Sequence, residues 1–108
     1  MAFVLTNFSS TTLTSSIDAV QTNLPVADGS SFATPGVGDQ TPLVIEDAFG
    51  NREIVYATDR NGDSFTVTRA EESTTPFAFA AGARVECRIT AGTFAALAAS
   101  GDVDGGTY

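Results

Sequence analysis

The feature that most constrains the fold is an Asn61-Gly62 dipeptide between two segments in which apolar and polar residues alternate. Residues 53–58 precede the dipeptide, and residues 65–68 follow it. A two-residue turn of type I′ needs positive φ at both central positions, which Asn and Gly adopt readily. The pattern therefore predicts a β-hairpin, and the apolar run at residues 43–47 predicts a third antiparallel strand before it.

Two further elements are predicted after this hairpin. Residues 84–89 alternate charged with apolar side chains, which is typical of a strand in a half-buried sheet. Cys87 lies on the apolar side of that strand, and as the single cysteine of the chain it is interpreted as a small buried hydrophobe. Residues 92–99 favour a short helix, with Thr93 as its N-cap and Gly101 at its end. We therefore predict an all-β, mainly antiparallel fold, a small β-barrel or sandwich with a short C-terminal helix.

The sequence divides into three parts. Residues 1–23 are rich in Ser and Thr and form a candidate anchor segment, for which we expect one or two strands joined by an irregular stretch. Residues 24–99 form the β domain with its short helix. Within that domain, residues 27–42 are dense in turn formers and predict a loop that Phe32 anchors in the core. Residues 100–108 form an acidic, Gly-rich tail that we expect to be mobile.

The charge of the chain argues against several classes of partner. Thirteen acidic residues oppose five basic ones, giving a net charge of −8. Such a charge repels phosphate backbones and anionic lipid headgroups, so we expect neither a nucleic-acid nor a membrane partner. The first residues lack the charged and apolar regions of a signal peptide, and no apolar run approaches the ~20 residues of a membrane span. All five bases are Arg, which suggests specific ion pairs.

The residue inventory also argues against catalysis. The chain contains neither His nor Lys, which excludes Ser-His-Asp, Cys-His and Schiff-base arrangements. Residues 59–63 resemble the start of a calcium loop, but the glycine falls at the wrong position and no bidentate Glu follows. The adjacent pair Glu71 and Glu72 points to opposite sides if the chain is extended. We therefore expect no enzyme activity, no cofactor and no metal site.

Arg69 is the most informative charged residue. It shares the parity of the apolar residues in the strand before it, so its side chain leaves from the core-facing side. A buried guanidinium must be paired or bonded to carbonyls, and the expected partners are Glu71, Glu53 or carbonyls of the 71–76 loop. Arg69 and Glu71 are thus candidates for a structural clamp. A contact with a neighbouring subunit is the alternative.

Phenylalanine is more abundant than one small core requires. Phe77 and Phe79 lie in a weakly patterned segment, as do several others, and some of these rings are candidates for an interface. Core packing is the alternative for each of them. The candidate rings are Phe3, Phe8, Phe49, Phe77 and Phe79.

Two stretches in the second half of the chain form a familiar pattern. Residues 63–75 read Asp-Ser-Phe-Thr-Val-Thr-Arg-Ala-Glu-Glu-Ser-Thr-Thr, and residues 79–86 read Phe-Ala-Ala-Gly-Ala-Arg-Val-Glu, with Glu-Ile-Val ahead of them at 53–55. This pattern resembles a module of tailed-bacteriophage virion proteins, found in tail-fibre and baseplate-associated chains and in small capsid fibre or decoration proteins. The resemblance covers about residues 22–97. Family chains usually carry Gly and Gln where residues 70–73 read Ala-Glu-Glu-Ser.

The resemblance implies a small β domain that serves in virion assembly, often as an oligomer and often as a homotrimer. The expected location is the virion, after synthesis in the host cytoplasm. Two roles stay open: a capsid decoration or head-fibre protein bound to the major capsid protein, and a tail or baseplate adaptor or tail-fibre base. The short chain favours the first. A carbohydrate-binding module is the alternative of another class, although a chain with two Tyr and no Trp has few aromatic platforms.

Overall fold

The computed structural model describes residues 3–6 and 9–100, with side chains through residue 96. Three predictions concern residues outside these ranges: the end of the helix at Gly101, a mobile tail, and Phe8 as an interface candidate. The elements of the described chain are β1 (Ser10–Thr12), β2 (Asn23–Pro25), β3 (Thr41–Glu46), β4 (Arg52–Asn61), β5 (Ser64–Glu71), β6 (Arg84–Cys87) and α1 (Ala91–Ser100).

The six strands form one sheet in the order β1-β6-β3-β4-β5-β2, and every neighbouring pair is antiparallel. The sheet curls until its two edge strands touch. Just beyond them, Leu13 and Val26 form an antiparallel bridge. The Thr14 amide donates to the Pro25 carbonyl at 3.0 Å on one side of that bridge. The prediction of a mainly antiparallel β fold with a short C-terminal helix is confirmed.

The hairpin between β4 and β5 is present, but its turn lies one residue later than predicted. Asn61 pairs with Ser64, so the two-residue loop is Gly62-Asp63. Gly62 has a φ of 62°, and neither Asn61 nor Asp63 has positive φ. A loop with positive φ at its first central residue alone fits a type II′ turn, for which Gly is required at that position. The predicted type I′ turn is therefore wrong.

The concave side of the sheet encloses the core. Phe32 is buried there and meets the Phe65 ring edge-on, with centroids 5.0 Å apart, so the predicted loop anchor is confirmed. Side chains from the predicted N-terminal segment reach the same core, because Leu13 and Ile17 are buried within it. The core consists of Leu13, Ile17, Leu24, Val26, Phe32, Leu43, Ile45, Val55, Ala57, Phe65, Val67, Phe79, Ala83 and Val85, with Cys87 partly buried at its margin.

The convex side of the sheet is also partly covered. Near the chain start, the Val4 amide donates to the Gln40 carbonyl at 2.7 Å. The Phe3 ring packs edge-on against Tyr56, with centroids 5.1 Å apart. At another part of this face, β6 ends at Cys87, and the strand does not continue to residue 89. Ile89 is consequently 62% exposed, and the predicted extent of the strand over residues 84–89 is wrong at its end.

No helix among residues 9–100 combines the length and the apolar character that spanning a bilayer requires.

The loop after β2 packs tightly on the β4–β5 turn at Gly29. A Cβ added there would lie 2.5 Å from the Gly62 carbonyl oxygen, which belongs to backbone and cannot rotate away. We expect Gly29→Ala to lower the free energy of unfolding by about 1–3 kcal/mol, because the loop must shift off the turn. Gly36→Ala is the control, since its nearest neighbour is an Asp39 side-chain oxygen at 3.3 Å. Urea unfolding curves measure both, and equal losses would contradict the close approach.

Candidate functional site

A buried ion pair between Arg69 and Glu53 lies at one end of the core. The Arg69 Nε is 2.7 Å from Glu53 Oε2, and its Nη2 is 2.8 Å from Glu53 Oε1, so the contact is bidentate. The two side chains are only 8% and 0% exposed. Both residues share the inward parity of their strands, β5 and β4, which is why two charges enter an otherwise apolar interior.

The remaining hydrogen-bonding capacity of Arg69 is used on backbone carbonyls. Its Nη1 donates to the carbonyls of Asp18 and Gln21 at 2.8 and 2.7 Å. Its Nη2 also donates to the Phe77 carbonyl at 2.7 Å. All five N–H groups of the guanidinium therefore have acceptors. The ion pair connects β4 and β5 to two loops that are distant in sequence.

The hydrogen-bonding capacity of the Glu53 carboxylate is also well used. Besides Arg69, its carboxylate accepts the amide protons of Ala70 and Phe77, each at 2.9 Å. Of the three partners expected for Arg69, the structure thus pairs it with Glu53. Arg69 is not paired with Glu71. The Oε2 atom of Glu71 accepts the Thr68 hydroxyl at 2.7 Å instead. The carbonyl acceptors belong to residues 18, 21 and 77, and the expectation that they come from the 71–76 loop is wrong.

The chain after Arg69 is strained. Ala70, Glu72 and Ser73 have φ values of 54°, 56° and 66°, in the left-handed region that residues with a Cβ rarely adopt. Each such residue costs about 1–3 kcal/mol unless its surroundings hold it. Here Glu53 binds the Ala70 amide, and the Thr74 hydroxyl donates to the Glu71 carbonyl at 2.7 Å. This turn directs the Glu72 side chain across the convex face of the sheet.

The Glu72 carboxylate connects that turn to the start of α1. It accepts the Tyr56 hydroxyl at 2.7 Å and the Gly92 amide at 2.6 Å, and it also accepts the Thr90 hydroxyl. A carboxylate at a helix N-terminus meets unpaired amides and the positive end of the helix dipole. A Cβ on Gly92 would lie 2.5 Å from Glu72 Cδ, so glycine is needed for this approach.

The N-cap of α1 is Thr90, and the prediction of Thr93 for that position is wrong. The Thr93 amide donates to Thr90 Oγ1 at 3.2 Å, and the Thr90 amide donates to Thr93 Oγ1 at 2.8 Å. This is the reciprocal arrangement of a capping box, with Thr in place of the usual Glu at the third helical position. Thr93 is fully buried, so it also seals the helix start against the sheet.

Two pKa values reflect this network. Burial by itself raises the pKa of Glu72, but hydrogen bonds from Thr90, Tyr56 and the Gly92 amide outweigh it and hold the pKa below its ordinary value of 4.5. Burial, and then the hydrogen bond to Glu72 and its negative charge, raise the pKa of the Tyr56 hydroxyl well above its usual range. Tyr56 therefore stays a proton donor to an ionised Glu72.

An apolar groove lies beside this network on the convex face. Its volume is about 380 Å³, and Val44 and Ile54 contribute its apolar strand residues. Arg52 and Arg88 line it as well, and both contact Glu46, at 3.2 and 3.6 Å. The complete lining is Val44, Arg52, Ile54, Glu72, Thr74, Arg88, Ile89, Thr90 and Ala91.

The helix that starts at this groove exposes apolar side chains. Phe94 is 56% exposed, and Ala91, Ala95 and Ala96 are exposed as well. None of the ten residues of α1 is charged. Exposed Ile89 and the first helical residue, Ala91, both line the groove, so the groove and the first turns of α1 adjoin; we call them the groove–helix surface.

Two of the five phenylalanine candidates, Phe77 and Phe79, differ in burial. Phe79 is 1% exposed and belongs to the core, whereas Phe77 is 38% exposed and lies over it, with ring centroids 5.1 Å apart. Sequence reasoning did not find the groove, because its lining comes from four separate stretches of chain.

Among the residues described, no group of three or more Cys, Asp or Glu side chains is arranged to hold a metal ion. No protein-family model matches the chain, and no curated protein sequence matches it at a significant level.

Removing the Arg69 guanidinium leaves the Glu53 charge buried without its counter-ion. We expect Arg69→Ala to lower the free energy of unfolding by about 3–5 kcal/mol. Arg84→Ala is the matched control, because Arg84 is exposed and lies 3.8 Å from Glu86, and an exposed pair of this kind contributes less than about 1 kcal/mol. Urea denaturation compares the two variants, and similar losses would show that the buried pair has no special role.

The depressed pKa of Glu72 predicts a pH-dependent contribution to stability. A lowered carboxyl pKa stabilises the fold above the ordinary value of 4.5, and that contribution is lost as the pH falls through the lower folded-state value. We expect the melting temperature of Glu72→Gln to lie below wild type near neutral pH and to approach it in acid.

The control for this pH series is Glu71→Gln, because the Glu71 carboxylate contacts Thr68 rather than the helix. Thermal unfolding followed by circular dichroism gives both profiles. A Glu72→Gln profile that stays parallel to wild type throughout the acid range would contradict the assignment.

Proposed function

We propose that this chain is a structural protein of a tailed-bacteriophage virion, an oligomeric decoration or head-fibre protein attached to the major capsid protein. The observation that carries the proposal is the groove–helix surface. A small sheet protein that exposes an uncharged apolar helix beside an apolar groove is suited to contact another protein, because such surfaces mark protein interfaces. The resemblance of residues 22–97 to virion modules supports the same role.

The charged groups of the chain are arranged for structure rather than for chemistry. Arg52, Arg69, Arg84 and Arg88 each contact a carboxylate, and Arg60 donates to the Gly62 carbonyl at 2.8 Å. The basic side chains are therefore engaged within the chain. This pattern fits an assembly protein, in which charges fix the fold and limit its partners.

The acidic excess offers a means of attachment to a basic protein surface. Exposed carboxylates lie away from the groove, at the β4–β5 hairpin and the loop that packs on it. A negatively charged face of this kind favours docking on a positively charged partner. Salt screens the attraction between the two surfaces and weakens it. The exposed residues concerned are Asp28, Asp59 and Asp63.

A carbohydrate-binding role receives no support from the one described tyrosine. The Tyr56 ring packs against Phe3 and its hydroxyl is bound to Glu72, so the ring is engaged on both sides. The large aromatic side chains that are exposed in the described chain are Phe49, Phe77 and Phe94.

Quantitative mass spectrometry of purified virions tests the proposal. The copy number of this protein is measured against the major capsid protein, with a known tail protein in the same sample as the internal standard. We expect a fixed proportion to the capsid protein. A handful of copies would move the protein to the tail or baseplate, and its absence from virions would overturn the proposal.

A further inference from the structure

We propose that Asn61 is a site of spontaneous deamidation, and that its isoaspartyl product detaches the loop after β2 from the β4–β5 turn. An Asn followed by Gly is open to this reaction because glycine has no side chain to hinder attack by its own amide nitrogen. The reaction needs only the folded chain and water, so it is independent of a role in the virion.

The reaction begins at the Gly62 amide. Its nitrogen attacks Asn61 Cγ to form a cyclic succinimide, while the Cγ–Nδ2 bond breaks and Nδ2 leaves as ammonia with the proton of the Gly62 amide. Water then hydrolyses the ring. Breaking the bond between the ring nitrogen and Cγ gives aspartate, and breaking the bond to the main-chain carbonyl carbon gives isoaspartate. No oxidant or reductant is consumed.

The fold leaves both reacting groups accessible. Asn61 and Gly62 are exposed at the tip of the hairpin. The hydrogen bond that closes a two-residue turn joins residues 61 and 64, so the Gly62 amide lies outside it. Within the described chain, neither that amide nor the Asn61 side chain has a hydrogen-bond partner. Attack requires Asn61 to leave its extended conformation, and local opening of an exposed loop costs little free energy.

The other described asparagines are held in place. The Asn23 side-chain amide donates to Ser64 Oγ at 2.6 Å, and that of Asn51 donates to Asp47 Oδ2 at 2.8 Å. Neither is followed by Gly. Asn61 therefore combines the reactive sequence with a side chain that no contact restrains.

The sequence Asp28-Gly29 provides the closest comparison, because an aspartate before Gly can form the same succinimide. Here the glycine is buried, and its amide donates to Asp63 Oδ1 at 2.9 Å. The Asp28 carboxylate accepts the Ser30 amide at 2.9 Å. Both reacting groups are engaged at this position. The fold thus protects one of these two dipeptides and exposes the other.

Isoaspartate at residue 61 would disturb the contact that this turn makes. It carries the main chain through Cγ and so lengthens the backbone by one methylene. The carbonyl of Gly62 lies 2.5 Å from the position that a Cβ on Gly29 would take, and it accepts Arg60 Nη1 at 2.8 Å. Backbone packed this closely cannot absorb an added atom without displacement. The product therefore separates the loop from the turn.

Peptide mapping by mass spectrometry tests the site on the folded chain, incubated at mildly alkaline pH. Deamidation appears as the mass gained when NH2 is replaced by OH, and fragmentation distinguishes isoaspartate from aspartate. Asp28→Asn is the matched control, because it places a second Asn-Gly sequence in the same chain where the glycine amide is bound. Circular dichroism checks that this variant is folded, and the same incubation in guanidinium chloride measures both positions without the fold.

We expect residue 61 to convert about tenfold or more faster than residue 28 in the folded variant. The two rates should converge in denaturant. A folded wild-type chain that keeps Asn61 intact while the denatured chain converts would overturn the proposal, whether or not the variant folds. Conversion of residue 28 as fast as residue 61 in the folded variant would also overturn it.

The effect on the loop is measured on the isoaspartyl form, isolated by chromatography. Asn61→Asp is its control, since that variant adds the same charge without lengthening the chain. We expect the isoaspartyl form to unfold at a lower denaturant concentration than Asn61→Asp. Equal unfolding midpoints would show that the loop stays on the turn and would overturn that part of the proposal.

Discussion

The structure depends on burying Arg69 together with Glu53. Removing two charges from water is costly, and the attraction between them repays that cost only when the geometry is good and every remaining donor and acceptor is satisfied. Both conditions are met here, since the guanidinium also binds carbonyls of two loops and the carboxylate binds two further amides. The ion pair therefore holds β4, β5 and those two loops in fixed positions relative to one another.

The conformation of the strained turn after β5 depends on this ion pair. Three left-handed residues with side chains would cost several kcal/mol in an unconstrained loop. Because Glu53 binds the Ala70 amide, the turn keeps the conformation that places Glu72 beneath the first turn of α1. Glu72 in turn fixes the helix start at the margin of the groove. A series of contacts thus links the buried ion pair to the groove–helix surface.

The sequence predicts some of this account and misses the rest for physical reasons. Alternation located the main strands, and the parity of Arg69 correctly placed a guanidinium on the inner face. The role of Glu72 was missed because left-handed backbone at residues other than Gly leaves no local signature in the sequence. Thr90 was passed over as N-cap in favour of Thr93, because each presents the same hydroxyl to the same helix start. The groove could not be predicted from the sequence, because its lining residues come together only in the tertiary structure.

The most direct test of the account is amide hydrogen exchange at Gly92 in the Glu53→Gln variant. Gly92 donates to Glu72 and lies far in sequence from the substitution. If the buried pair holds the turn that positions Glu72, protection at Gly92 should fall together with protection at Ala70, whose amide binds Glu53 directly. Unchanged protection at Gly92 with loss at Ala70 would contradict the account, because the helix start would then be fixed independently of the ion pair.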